Sequence, residues 1–218
     1  MRPMLRRPAQ SACLLLLAFC LAGCKRNPSA QPDAAPNSAQ FLSLMNAGKN
    51  YLDQGDATNA LAIYKKAEAI VPNNADVRLN LANCYLLGGA AVEAIREADE
   101  ILKLEPNSAA AYFVKGSAYL HLSNPEDAAK ALENAKKIDP GETATSFQLG
   151  MARMGLKQWD EAVAAFQEGI RMDPNHLHSA AHFLLAQALL RAGRQDEAQQ
   201  ELQLHQANPG GPAVSAAT

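Results

Sequence analysis

The chain has 218 residues, with 22 acidic side chains against 20 Lys and Arg, a formal net charge of −2, and an apolar content of 48%. That balance excludes the strong basic footprint of a nucleic-acid binder, and the apolar fraction is enough for a sizeable buried core. Four cysteines are too few for a disulfide-built fold.

In chain order, Arg2, Arg6 and Arg7 precede an apolar run from Ala12 to Ala22. About 20 apolar residues are needed to cross a hydrocarbon core, so eleven do not make a span. A basic head, a short apolar middle and small residues before a break mark a secretory signal. Leu21-Ala22-Gly23-Cys24 resembles the lipobox of bacterial lipoproteins. The resemblance implies cleavage after residue 23 and a diacylglyceryl group on the thiol of Cys24, with no other cofactor. The chemistry agrees, because a thiolate is the nucleophile that takes the lipid. Lys25 stands where aspartate would resemble an inner-membrane retention signal, so the resemblance implies the periplasmic side of the cell envelope, with the outer membrane preferred to the inner. Removing residues 1–23 takes away three arginines and no acids, lowering the formal charge from −2 to −5. Cys13 and Cys20 leave with the signal and Cys24 carries lipid, so Cys84 alone remains and no internal disulfide forms. Residues 24–40, rich in proline and small polar side chains, read as a disordered tether with a span of about 20–25 Å.

Beyond Gln40 the chain repeats. Pro72, Pro106, Pro140 and Pro174 are each 34 residues apart, which frames repeats at 41–74, 75–108, 109–142 and 143–176, with a fifth at 179–208. Position 20 of the repeat is alanine five times, as Ala60, Ala94, Ala128, Ala162 and Ala198. Position 8 is always small, as Gly48, Ala82, Gly116, Gly150 and Ala186. Small groups are needed where two helices of a hairpin cross closely. Position 24 (Tyr64, Ala98, Leu132, Phe166, Leu202) is mostly large and suited to fill the space between them. The prolines end the second helix, and Asn73, Asn107 and Asn175 are placed to cap or turn the chain into the next. Gly55 ends one helix and Asp56 caps its successor, while Asn124-Pro125-Glu126 provides an N-cap, a first-turn proline and a first-turn acid. Glu126/Lys130 and Glu133/Lys137 at i, i+4 mark a solvated face.

A helical period of 34 with these small and large positions resembles the tetratricopeptide repeat family. It implies an all-α fold, a right-handed superhelical solenoid of five antiparallel helix hairpins whose first (A) helices line a concave groove. Position 4, often tryptophan in the family, departs as Leu44, Arg78, Tyr112, Ser146 and His182, and Lys115 stands at position 7, usually leucine. The last helix carries Gln199, Gln200, Gln203 and Gln206 as a polar cap, followed by a short Pro/Gly-rich tail at 209–218.

In the family, positions 5 and 9 of helix A face the groove. They are Met45, Lys49, Leu79, Asn83, Phe113, Ser117, Phe147, Met151, Phe183 and Gln187, an apolar stripe flanked by hydrogen-bonding groups. Position 12 adds Leu52, Leu86, Leu120, Met154 and Leu190. Such a stripe fits an amphipathic helix or extended peptide of another envelope protein, unless it closes a tight superhelix on itself. Envelope lipoproteins of the family include type IV pilus pilotins and adaptors for peptidoglycan hydrolases. A carboxylate grip built from Lys49 and Asn83 lacks its third-repeat cation, because Ala110 and Val114 stand there. No phosphate loop, CxxC pair or nucleophile elbow appears, so no catalysis is expected and no small-molecule substrate. His178 and His182, four apart, with His176, form the one arguable metal cluster, and packing or solvated histidines are the reading preferred. A subunit that self-associates through its terminal repeats is the remaining alternative.

Overall fold

The computed structural model describes residues 39–173 and 180–207. The signal, Cys24, the residues before Ala39, residues 174–179 with Pro174, Asn175, His176 and His178, and the tail lie outside them. Ten α-helices follow one another: α1 (Ala39–Asp53), α2 (Ala57–Ile70), α3 (Ala75–Leu87), α4 (Ala91–Leu104), α5 (Ala109–His121), α6 (Pro125–Ile138), α7 (Thr143–Gly155), α8 (Trp159–Met172), α9 (Ala181–Arg191) and α10 (Gln195–Ala207). The odd-numbered A helices pair with the even-numbered B helices as hairpins, and each hairpin packs on the next. Among the described residues there is no strand, and no helix is long and apolar enough to cross a membrane.

The turn from A to B is the same in every repeat, and backbone chemistry explains why. The N–H at position 16 bonds back to the carbonyl at position 11, as in Asp56 to Tyr51 (2.8 Å) and Gln158 to Arg153 (2.9 Å). The N–H at position 15 reaches the carbonyl at position 12, as in Gly55 to Leu52 (2.9 Å) and Lys157 to Met154 (3.0 Å). These paired bonds form a Schellman cap, which needs a left-handed residue just past the helix. Position 15 supplies it as Gly55, Gly89, Ser123, Lys157 and Gly193, with φ of 76°, 75°, 54°, 59° and 80°. Glycine adopts that region freely, whereas other L-residues pay about 1–2 kcal/mol. Ser123→Gly and Lys157→Gly are therefore expected to stabilise the array by about 0.5–1 kcal/mol each, after the greater freedom of glycine in the unfolded chain is counted. A higher urea midpoint at unchanged m-value checks this.

Helix starts are capped by side chains one position later than the asparagine after proline suggests. Asn74 Oδ1 accepts from Val77 N (3.0 Å), Ser108 Oγ from Ala111 N (3.4 Å) and Glu142 Oε1 from Ala144 N (3.1 Å). Asn73 takes the turn itself, at φ 62°. The B-helix caps fall where the sequence places them, with Asp56 accepting from Asn59 N and Asn124 from Asp127 N.

Inside each hairpin the two helices approach to backbone distance. All five position-20 alanines are fully buried. Position 8 lies under position 24: a Cβ added to Gly48, Gly116 or Gly150 would stand 2.5–2.6 Å from Tyr64, Leu132 or Phe166. Repeat 2 replaces glycine and ring by Ala82 and Ala98, both buried.

Polar pairs tie the hairpins where apolar contact gives way. Arg78 at position 4 reaches Glu97 at position 23 (2.7 Å) and Glu68 of the preceding repeat (3.5 Å). His182 at position 4 meets Glu201 at position 23, Nδ1 to Oε2 at 2.6 Å. Lys115 is paired with Asp99 of the previous hairpin (2.6 Å). The i, i+4 pairs expected on α6 form differently: Lys130 pairs with Asp127 at 3.0 Å, and Glu133 reaches across to Arg153 on α7. Ser146, at position 4 with only alanine opposite, is buried with its Oγ lacking a hydrogen-bond partner.

Both ends of the described array are polar. Positions 3 and 10, buried as Val77, Ala111, Thr145 and Ala181 and as Cys84, Ala118, Ala152 and Ala188, become exposed Ser43 and Asn50 in α1. At the other end Gln199, Gln200, Gln203 and Gln206 of α10 are exposed.

Candidate partner-binding groove

The A helices touch one another across repeat boundaries, α3 with α5 and α5 with α7, and B helices do not do so to the same degree. A stack whose A helices are closer together curves toward them, so they form the concave wall. Along this wall the side chains expected to line a groove divide into three groups. Lys49, Met151 and Phe183 are exposed. Met45, Leu79, Asn83, Phe113 and Gln187 are half-buried. Ser117 and Phe147 are buried, at 5% and 6% exposure, and belong to the interior.

The last two need correction on physical grounds. Phe147 joins the cluster of Ala162, Val163 and Phe166, and a Cβ on Gly169 would come within 2.7 Å of its ring. The glycine in α8 thus lets the ring sink into the hairpin. Ser117 Oγ donates to the Phe113 carbonyl (2.9 Å) and lies 2.5 Å from the Gln148 carboxamide of α7. It bolts α5 to α7 beneath the groove floor.

Two clefts open on either side of that bolt. One, of about 270 Å³, is lined by Ala109, Ala110, Phe113, Asp139, Glu142 and Ala144, with Thr145 at its base. The other, of about 330 Å³, is lined by Leu120, Ser123, Pro125, Met151 and Gly155. Gly155 is needed there, since a Cβ would come within 2.8 Å of Pro125. Phe113 and Met151 therefore each line a hollow, the first toward the start of the A helices and the second toward their ends. The acids Asp139 and Glu142 were not singled out by the repeat pattern, because they occupy inter-repeat turns and serve local backbone bonds to Gly141 N and Ala144 N.

The other candidates are structural. Cys84 is 2% exposed beside Tyr64 and Leu81, and burial pushes its thiol up to about 11, which keeps it protonated and inert at neutral pH. His182 is turned into its hairpin toward Glu201, while His176 and His178 lie outside the described residues. Among the described residues no three His, Cys, Asp or Glu side chains are grouped to hold a metal ion.

Residues 51–115 match one tetratricopeptide repeat family, and residues 93–143 and 147–212 match a second of the same description. The chain belongs to the tetratricopeptide repeat family. Solved structures agree with the fold. A crystal structure of MamA protein is 25% identical, with a TM-score of 0.63 over 77% of this chain and 91% of that one. MamA 41-end from Desulfovibrio magneticus RS-1 is 21% identical, with a TM-score of 0.67 over 78% and 95%. TTC0263, a thermophilic tetratricopeptide protein of Thermus thermophilus, is 20% identical, with a TM-score of 0.66 over 77% and 90%. No curated protein sequence matches the chain. Tetratricopeptide arrays bind protein partners and generally act as non-catalytic scaffolds.

Proposed function

We propose that this tetratricopeptide protein is a lipid-anchored scaffold of the bacterial envelope, held through Cys24 and gripping another envelope protein in the concave groove. The tether gives the array a reach of about 20–25 Å from the membrane surface, and several acyl chains hold far better than one. A role in pilus or secretin assembly, or as adaptor for a peptidoglycan enzyme, fits this setting, on the periplasmic side and at the outer membrane in preference to the inner. The observation that carries the binding claim is the exposed Met151 and half-buried Phe113, each over its own cleft, on a wall with few charges.

Buried apolar anchors typically dominate binding, at about 2 kcal/mol or more each. Phe113→Glu combined with Met151→Glu is thus expected to weaken partner capture by about 30-fold or more while the far-ultraviolet spectrum stays helical. Crosslinking in intact envelopes, with mass spectrometry of the captured protein, reads the effect. Unchanged capture by a folded double variant removes the groove from consideration. Metabolic labelling with an alkyne fatty acid tests the anchor separately, and no label on Cys24 removes the membrane setting.

A further inference from the structure

Oxidisable sulfur is unevenly placed in this chain. Met151, on the concave wall, is 44% exposed, and it is the one exposed methionine among the described residues. Met45, Met154 and Met172 are half-buried. Met154 packs on the cluster of Phe166 and Leu189, and Met45 on that of Phe41 and Tyr64. Cys84 is buried and protonated, so it offers no thiolate to an oxidant. Peroxide arriving from solvent therefore meets the Met151 thioether first.

Position 9 of the repeat, which Met151 holds, accepts polar groups without loss of the hairpin. The other four repeats carry Lys49, Asn83, Ser117 and Gln187 there, and the position-20 alanine of each is fully buried all the same. An oxygen added to the Met151 sulfur thus leaves α7 and α8 packed as before. The hollow that the side chain lines changes far more. Leu120, Pro125 and Gly155 stand around it, with Ser123 at the turn. A sulfoxide is polar and accepts hydrogen bonds, and an apolar partner side chain seated in that hollow supplies no donor. Covering a polar group without giving it a bond is costly.

We infer that Met151 is a reversible oxidation site, through which peroxide switches off partner capture in the concave groove without unfolding the array. The inference rests on that groove being the partner site. The sulfur lone pair attacks one oxygen of hydrogen peroxide and the O–O bond breaks. The departing hydroxide takes the proton of the transferred oxygen and leaves as water, so that sulfur is oxidised and peroxide reduced. Methionine sulfoxide reductases reverse the step with a dithiol as reductant. The sulfoxide oxygen then leaves as water and the dithiol closes to a disulfide. A bound partner covers the thioether, so the switch acts on the free array.

The test uses the full chain in mild detergent, treated with hydrogen peroxide and then with catalase. Trypsin cuts after Arg153 and so places Met151 and Met154 in different peptides. Sulfoxide is expected at Met151 about fivefold faster or more than at Met45, Met154 or Met172, with the urea midpoint unchanged. Equal or slower oxidation at Met151, or a lowered midpoint, overturns the inference. Capture is read on a defined species, the envelope protein that the parent chain retains and the Phe113→Glu, Met151→Glu variant loses. Oxidation is expected to reduce its capture about tenfold, and reductases A and B with dithiothreitol to restore it. Met151→Leu, compared with its own untreated sample, shows no loss after peroxide. Capture that survives full oxidation of Met151, or that falls as far in the Met151→Leu protein, sinks the switch and leaves the groove standing. If the double variant loses no captured protein, the groove reading falls and the inference with it.

Discussion

Replacing Gly150 with leucine is expected to destabilise the array by about 3 kcal/mol, near the upper end of what overpacking does. The reason is local and severe: even a bare Cβ would stand 2.6 Å from Phe166 Cε1, and the ring is fully buried. Phe166 has no space into which to rotate, because Phe147 and Val163 share its cluster. The substitution forces α7 and α8 apart and disturbs the contacts of both with their neighbours. Phe166→Ala alone opens a cavity and costs about 3–5 kcal/mol. Combining the two moves the volume from one side of the hairpin to the other. The double variant should fall short of the sum of the single losses by about 1.5 kcal/mol or more, within the range for residues in contact. Chemical denaturation of the four proteins gives the cycle. A Gly150→Leu protein that melts like the parent would mean that the helices are not as close as described.

Arg78→Ala is the second large effect, at about 2–3 kcal/mol. Arg78 and Glu97 are 15% and 17% exposed at the side chain, and Arg78 also reaches Glu68 and donates to Asn73 Oδ1. Truncation leaves two carboxylates near each other in a partly buried site with no cation, a costlier outcome than the pair was worth. Repeat 1 supplies a control, since Leu44 and Ile63 hold the corresponding positions. Arg78→Leu with Glu97→Ile copies that apolar solution and is expected to fall within about 1 kcal/mol of the parent. Urea unfolding of both proteins distinguishes a pair that stabilises the hairpin from one that merely tolerates burial. A double variant as weak as Arg78→Ala would show that the site needs its charges.

These residues show what the repeat pattern made legible. Gly150 and Ala162 could be read directly, because a close crossing admits so few side chains that five repeats converge on glycine and alanine. Position 4 was harder, because it is solved differently in each hairpin. Arg78, Ser146 and His182 look like departures until position 23 is set beside them as Glu97, Ala165 and Glu201. Charge then matches charge, and small matches small. The left-handed turn at position 15 was visible at Gly55 but hidden at Ser123 and Lys157, where neighbouring bonds impose the conformation against the residue's own preference. Groove membership was least legible. Phe113 and Phe147 hold the same position, and what separates them is a glycine on another helix, Gly169, that lets one ring sink while the other stays up.

The polar faces of α1 and α10 also bear on how such a protein can change its size. Each interior hairpin has an apolar seat on both sides, so it is interchangeable in kind with its neighbours. The first and last of the described array differ, because exposed Ser43 and Asn50 at one limit, and exposed glutamines at the other, turn polar side chains outward. Copy number can therefore grow or shrink by duplication or loss of a central module, whereas trimming from either limit would strip off a lid and leave a greasy surface bare.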